Sequence, residues 1–167
     1  MIRVILAFVC LLVSLQGAST PRPLADVSMA MADGKKVRLT QYKGKVMVVA
    51  LVSTTCDHCI ASLQLLTKLQ QEYGPRGFQA VGVAANDGAQ STLAGFIRLQ
   101  ITFPVGYLDQ ATTMQLCDFK PDDHPFVPMY LFVDKKGTVR FQYAGKDDFF
   151  KAEEKNTRYF IEALLKQ

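Results

Sequence analysis

The chain has 167 residues, of which 49% are hydrophobic and 20% charged, and its formal net charge at pH 7 is +4. A chain of this length folds as one domain of ordinary size, which buries a full core without needing a disulfide. The lysines and arginines are scattered along the sequence rather than clustered, which excludes a nucleic-acid-binding patch.

The first 19 residues have the three parts of a secretory signal peptide. A short positive start containing Arg3 precedes an almost entirely apolar run, residues 4–15, and Gly17-Ala18-Ser19 provides the small residues of a cleavage site. The apolar run is short for a membrane span, but an uncleaved membrane anchor is the alternative. We therefore expect an exported domain, residues 20–167, in the bacterial periplasm or on the extracytoplasmic face of the membrane, where disulfides persist.

The exported part alternates apolar strands with amphipathic helices. Short apolar runs between turn residues predict strands, and apolar residues three and four apart predict helices. In chain order, the sequence predicts strands 27–31, 36–39 and 45–52, helix 60–73, strand 78–84, helices 90–100 and 110–117, strands 129–133 and 138–143, and helix 153–166. Alternating β and α units followed by a hairpin predict an α/β fold, with a mixed sheet and helices on both faces.

Turn and capping residues mark several element ends. Thr40 is a candidate cap for a single helical turn that stops at Gly44, and Asp109 is the predicted cap of the third helix. Gly74-Pro75 stops the first helix. Residues 119–128 contain three prolines and are predicted to form an irregular loop.

Two cysteines lie where the strand at residues 45–52 gives way to the first helix. Cys56-Asp57-His58-Cys59 is a CxxC pair, and such a pair near a β-α unit is typical of a redox site. A disulfide between Cys56 and Cys59 would close a very short loop and contribute little to stability, which favours chemistry over scaffolding. A merely structural disulfide stays open as an alternative.

Three features together resemble the thioredoxin superfamily, in particular its exported TlpA-like and thiol-specific-antioxidant (redoxin) branch. They are the segment 31–39 followed by Lys43-Gly44-Lys45-Val46, the CxxC pair, and Val127-Pro128 followed by an apolar strand and the turn Asp134-Lys135-Lys136-Gly137. The resemblance covers residues 24–167. It implies a thioredoxin-like α/β fold, with a central mixed β-sheet flanked by helices and an N-terminal β-hairpin extension.

The resemblance also implies a thiol-disulfide oxidoreductase that exchanges disulfides with protein thiols. Cys56 would be the nucleophile, because free N–H groups and the dipole at a helix N-terminus stabilise a thiolate, and Cys59 would be the resolving thiol. His58 would favour the thiolate and Asp57 would oppose it. Val127 and Pro128, joined by a cis peptide bond, would bind an extended substrate.

No cofactor is expected besides a redox-active Cys56–Cys59 disulfide. The expected partners are protein thiols or disulfides and an upstream redox partner, with no nucleic acid, and with a membrane only through residues 1–19 if these stay uncleaved. The chain departs from the family at Thr55, where a tryptophan is usual. Ala50 and Ser62, which align with the usual positions of a buried acid, provide no proton acceptor.

Two further functions stay open. Cys56, Cys59 and His124 would form a two-sulfur, one-nitrogen site suited to copper, as in Sco-type chaperones, although those proteins space their cysteines CxxxC. A peroxiredoxin-like thiol peroxidase would use the same fold, but peroxiredoxins need a proline shortly before the cysteine, and residues 46–55 contain none. Cys117, at the end of a predicted helix, is interpreted as a buried structural thiol rather than a third redox partner.

Overall fold

The computed structural model describes residues 20–98, 101–120, 123 and 126–167. The predicted signal peptide or anchor, residues 1–19, lies outside the described residues, and so does His124 of the alternative copper site. In the described part of the chain, no helix has the length and apolar character needed to cross a membrane.

The described residues form eight strands and four α-helices. The strands are β1 (Arg22–Pro23), β2 (Ser28–Met31), β3 (Lys36–Arg38), β4 (Val46–Val52), β5 (Phe78–Ala84), β6 (Val105–Tyr107), β7 (Met129–Val133) and β8 (Thr138–Tyr143). The helices are α1 (Asp57–Tyr73), α2 (Ala89–Phe96), α3 (Gln110–Cys117) and α4 (Glu153–Leu165).

The strands join in one mixed sheet with the order β1-β8-β7-β4-β5-β6-β2-β3. The central strand β4 is parallel to β5 and antiparallel to β7, and all seven of its residues are buried. The predicted N-terminal hairpin is β2–β3, and it extends the sheet because β2 pairs with β6. The thioredoxin-like α/β fold predicted from the sequence is therefore confirmed.

Alternating side chains of β4 divide the core into two layers. On one face, apolar residues of α1, α2 and α4 pack against Val46, Val48, Ala50 and Val52. On the other face, apolar residues of α3 and of the segment 24–29 pack against Met47, Val49 and Leu51. The helices therefore cover both faces, as predicted. The layer under α1 and α4 is the one that holds Cys59.

Several local predictions differ from the structure. Thr40 is not a cap: the 3₁₀ turn Leu39–Tyr42 begins after Arg38 with no side-chain cap, and the Thr40 hydroxyl donates instead to Asp26 at 2.7 Å. Helix α2 ends at Phe96, earlier than predicted. The cap at Asp109 is confirmed, since its Oδ1 accepts from the N–H of Thr112 at 2.8 Å.

Candidate active site

The two cysteines lie at the start of α1, just beyond the end of β4. Cys56 is the N-cap residue, and its Sγ accepts a hydrogen bond from the backbone N–H of Cys59 at 3.3 Å. The unpaired N–H groups and the dipole of a helix N-terminus favour negative charge at this position. Cys56 is partly exposed, whereas Cys59 is completely buried, and both thiols are free. Access and charge therefore suit Cys56 as the attacking thiolate.

Cys59 has a different environment. Burial, followed by the hydrogen bond with Cys56, raises the pKa of Cys59 to about 12, and the negative charge of Glu153 adds to this rise. A weak hydrogen bond from the N–H of Ser53, at 3.5 Å, acts in the opposite direction. The Cys59 thiol therefore keeps its proton at neutral pH and must lose it before it can attack a disulfide.

The turn before Cys56 is held by a side chain from the end of the neighbouring strand β5. Asn86 Oδ1 accepts from the backbone N–H of Thr54 at 2.9 Å, and Asn86 Nδ2 donates to Thr54 Oγ1 at 3.1 Å. Because β4 and β5 are parallel, their carboxyl ends meet here. Thr55, at the position where the family usually has tryptophan, is exposed.

The predicted substrate-binding pair lies beside the cysteines. The Val127–Pro128 peptide bond is cis, as predicted. Val127 and Pro128 line a groove of about 300 Å³ together with Cys56 and His58. The structure thus brings these four predicted site residues together, whereas Asp57 is exposed in the first turn of α1 and is not among the described residues that line the groove.

The loop after β8 also contributes to this groove, a role that sequence reasoning missed. The N–H of Gly145 donates to the carbonyl oxygen of Phe126 at 3.0 Å, and a methyl group added to Gly145 would lie 2.9 Å from the carbonyl oxygen of Val127. Lys146 Nζ lies 3.4 Å from the centroid of the Phe126 ring, within the range of a cation–π contact. This loop therefore packs directly against the segment that ends in Pro128.

Sequence reasoning also missed an acid in the site. Glu153, the first residue of α4, lines the groove, and the hydroxyl of Tyr130 donates to its Oε1 at 2.6 Å. Burial and then the charge of Glu153 raise the pKa of Tyr130 well above its ordinary value, so this hydroxyl keeps its proton as a donor. Ala50 and Ser62, at the positions where the family usually has a buried acid, carry no carboxylate. From the sequence alone, a glutamate at the start of a helix predicts only a favourable interaction with the helix dipole. It does not predict a place in the site.

Cys117 lies in a different part of the molecule from Cys56 and Cys59, the two sulfur ligands of the alternative copper site. Cys117 is completely buried in the layer under α3, on the opposite side of the sheet from Cys59, and burial raises the pKa of its thiol to about 12. This environment agrees with a structural thiol. Among the described residues, no three or more His, Cys, Asp and Glu side chains are arranged to hold a metal ion. His124 lies outside them, so the copper site stays a prediction.

Comparisons with known sequences identify a family. The redoxin family model matches residues 16–159 of the chain. The chloroplastic phospholipid hydroperoxide glutathione peroxidase 1 of Arabidopsis thaliana is 27% identical over 96 residues, which are 53% of this chain and 41% of that protein. The thiol-disulfide oxidoreductase ResA of Oceanobacillus iheyensis is 27% identical over 108 residues, which are 64% of this chain and 53% of that protein. The matches thus span about half or less of these curated relatives.

Solved structures share the architecture. A thiol:disulfide interchange protein of the thioredoxin family from Chlorobium tepidum aligns with a TM-score of 0.72 at 20% identity, covering 88% of this chain and 98% of that one. The thioredoxin domain of a thiol-disulfide oxidoreductase from Bacteroides vulgatus aligns with a TM-score of 0.62 at 18% identity, covering 84% and 98%. At these identities the likeness establishes the thioredoxin-like fold.

Proposed function

Because the chain belongs to the redoxin family, we propose that it is a thiol-disulfide oxidoreductase that exchanges disulfides with protein thiols through Cys56 and Cys59. One observation carries the proposal. Cys56 caps α1 with its sulfur accepting a backbone N–H, it opens onto a groove, and the buried Cys59 lies one turn behind it. This is the arrangement that two successive thiol attacks require.

The exchange has two steps. The Cys56 thiolate attacks a substrate disulfide, forming a mixed disulfide, and the first substrate thiolate leaves and takes a proton from solvent. Cys59 then loses its proton and attacks the Cys56 sulfur, which releases the second substrate thiolate and leaves a Cys56–Cys59 disulfide. Two electrons pass from the protein to the substrate, and the same steps in reverse oxidise substrate thiols.

The groove supports a polypeptide substrate. It is lined by Cys56, His58, Val127 and Pro128, and its volume of about 300 Å³ leaves room for part of an extended segment beside Cys56. The signal-like composition of residues 1–19 supports an exported protein that meets its partners, including an upstream redox partner, outside the cytoplasm. The position of His58 in the same groove as Cys56 supports the proposal that it modulates the Cys56 thiolate.

Replacement of single cysteines tests the proposal. Cys56→Ser should abolish reduction of a protein disulfide, and Cys59→Ser should accumulate a mixed disulfide with the substrate, which gel mobility and mass spectrometry detect. Cys117→Ala is the matched control and should exchange at the wild-type rate, because that thiol is buried on the other side of the sheet. Unchanged exchange in Cys56→Ser would overturn the proposal, and a Cys56–Cys59 bond that resists strong reductants would indicate a structural disulfide instead.

Hydroperoxide reduction is a second candidate function, favoured by the curated glutathione peroxidases that the chain matches. The Cys56 thiolate would attack the peroxide O–O bond, giving a Cys56 sulfenic acid and an alcohol or water. Cys59 would condense with the sulfenic acid, forming the disulfide and releasing water. Peroxide consumption by the reduced protein, measured beside disulfide exchange with the same variants, separates the two functions, because a peroxidase would be oxidised much faster by hydroperoxide than by a protein disulfide.

A further inference from the structure

The Cys59 thiol needs a base. Burial is the largest cause of the raised pKa of Cys59, and it persists when Cys56 is bonded to the substrate, so the thiol keeps its proton at neutral pH. The resolving step uses the thiolate, so an unassisted Cys59 would react slowly at neutral pH. Cys56 cannot take this proton, because its sulfur is bonded to the substrate when Cys59 attacks.

A polar cluster connects the first turns of α1 with the start of α4. Ser62, in the turn after Cys59, is 1% exposed, and within the described part of the chain its Oγ has no hydrogen-bond partner. The Tyr130 hydroxyl lies 3.3 Å from the carbonyl oxygen of Ser62 and donates to Glu153 at 2.6 Å. Ser62 and Glu153 both line the groove, which is large enough to hold water. Ser62, Tyr130 and Glu153 therefore form a polar cluster that extends from the turn after Cys59 to the carboxylate.

The other ionisable groups near Cys59 do not offer the same route. Asp57 is exposed and does not line the groove, and His58 lines the groove but makes no hydrogen bond to the described residues Ser62, Tyr130 or Glu153. Glu154, next to Glu153 in α4, is exposed and engaged by Lys68 and Arg158 at 2.9 and 3.0 Å. Among the described residues that line the groove, only Glu153 carries a carboxylate.

We propose that Glu153 is the proton acceptor of Cys59 and that Tyr130 is the positioning residue that holds its carboxylate. The inference rests on the proposed exchange function and adds a base to it. The Cys59 proton passes to Glu153 through a water in the groove, and the resulting thiolate attacks the Cys56 sulfur. The bond between Cys56 and the substrate breaks, the substrate thiolate takes a proton from solvent, and Glu153 returns its own proton to solvent.

The reaction of the reduced protein with 5,5′-dithiobis(2-nitrobenzoate) measures the reaction rates of the two thiols separately. Attack by Cys56 releases one thionitrobenzoate, and attack by Cys59 on the mixed disulfide releases the second. We expect Glu153→Gln to leave the first phase unchanged and to slow the second about 100-fold at pH 7, the range for loss of a positioned base. Glu154→Gln is the matched control and should leave both phases unchanged.

The pH profile distinguishes a base from a structural role. In the wild type the second phase should vary less with pH than in Glu153→Gln, because a base inside the groove removes the proton in place of hydroxide. In Glu153→Gln it should rise about tenfold per pH unit, since hydroxide must then remove the proton, and the two proteins should converge as the pH increases. A second phase unchanged in Glu153→Gln, or slowed equally at every pH, would overturn the inference.

Two milder variants complete the test. Glu153→Asp keeps a carboxylate and should recover part of the second-phase rate with the wild-type pH profile. Tyr130→Phe keeps the ring and removes the donor to Glu153, so it should slow the second phase less than Glu153→Gln does; an unchanged second phase would exclude the positioning role of Tyr130. If the proposed function itself fails, the wild type will show no fast first phase. None of the outcomes described for the variants includes that result.

Discussion

Gly145→Ala should destabilise the protein and impair its groove. The added methyl carbon would lie 2.9 Å from the Val127 carbonyl oxygen and 3.2 Å from the Val127 carbonyl carbon. Both are backbone atoms, so the contact cannot be relieved by turning a side chain, and the two segments must separate. Overpacking of this kind costs about 1–3 kcal/mol. For a domain of this size, each kcal/mol lowers the melting temperature by about 2–4 °C.

The same substitution at Gly95 is the matched control. Gly95 lies in α2, and a methyl carbon added there would have no atom within 4 Å among its described surroundings. Alanine in a helix is more favourable than glycine by about 0.5–1 kcal/mol, so Gly95→Ala should raise the melting temperature by a few degrees. Calorimetry of Gly145→Ala and Gly95→Ala should therefore show shifts of opposite sign in the melting temperature.

The functional consequence of Gly145→Ala is measured on a protein substrate. Because Gly145 packs on the segment ending in Pro128, the variant should exchange a protein disulfide more slowly, while its Cys56 reacts with a small disulfide at the wild-type rate. A melting temperature equal to or above that of the wild type would refute the steric argument. Equal slowing with large and small disulfides would instead place the effect at Cys56 rather than in the groove.

Two further predictions concern contacts away from the sulfur atoms. Arg158 donates to both carboxylate oxygens of Glu72 at 2.7 Å, and this contact lowers the pKa of Glu72. The ion pair therefore stabilises the fold at pH values above the ordinary glutamate pKa, and this stabilisation is lost as the pH falls through the lowered pKa. Urea unfolding at pH 7 and pH 3 should therefore show a smaller loss of stability on acidification for Arg158→Ala than for the wild type, and an equal loss would contradict the pairing. Asn86→Ala leaves the backbone N–H of Thr54 without its acceptor and should cost about 1–3 kcal/mol of unfolding free energy, whereas Asn86→Asp, which keeps the acceptor, should cost less. Equal costs for these two variants would show that the hydrogen bond to Thr54 does not hold the turn.

Hydrophobic pattern and turn residues were enough to predict the centre of the fold. The predicted bounds of β5, β7 and β8 agree with the structure to the residue, because each strand is an apolar or alternating run between turn residues. The Cys56–Cys59 pair and Val127-Pro128 were found because the resemblance to a family rests on short contiguous motifs.

Features that depend on distant contacts could not be predicted. Glu153 lines the groove beside Cys56 only because α4 packs against α1 and β7, and no local pattern encodes that packing. Thr40 has the right chemistry for a cap, but Asp26 takes its hydroxyl. Arg22–Pro23 is a poor strand by composition and becomes one only through pairing with β8.

The two outermost strands limit how other chains can attach to this protein. At one edge β1 has two residues, and Pro23 has no N–H to offer; at the other, β3 has three residues, and the ends of that strand carry the exposed charges of Lys36 and Arg38. Short, charged or proline-bearing edges are poor templates for an added strand. Under the proposed function, these edges would keep an incompletely folded client from extending the sheet or starting an aggregate, and would leave the groove beside Cys56 as the place where its backbone binds and from which it departs after the sulfur exchange.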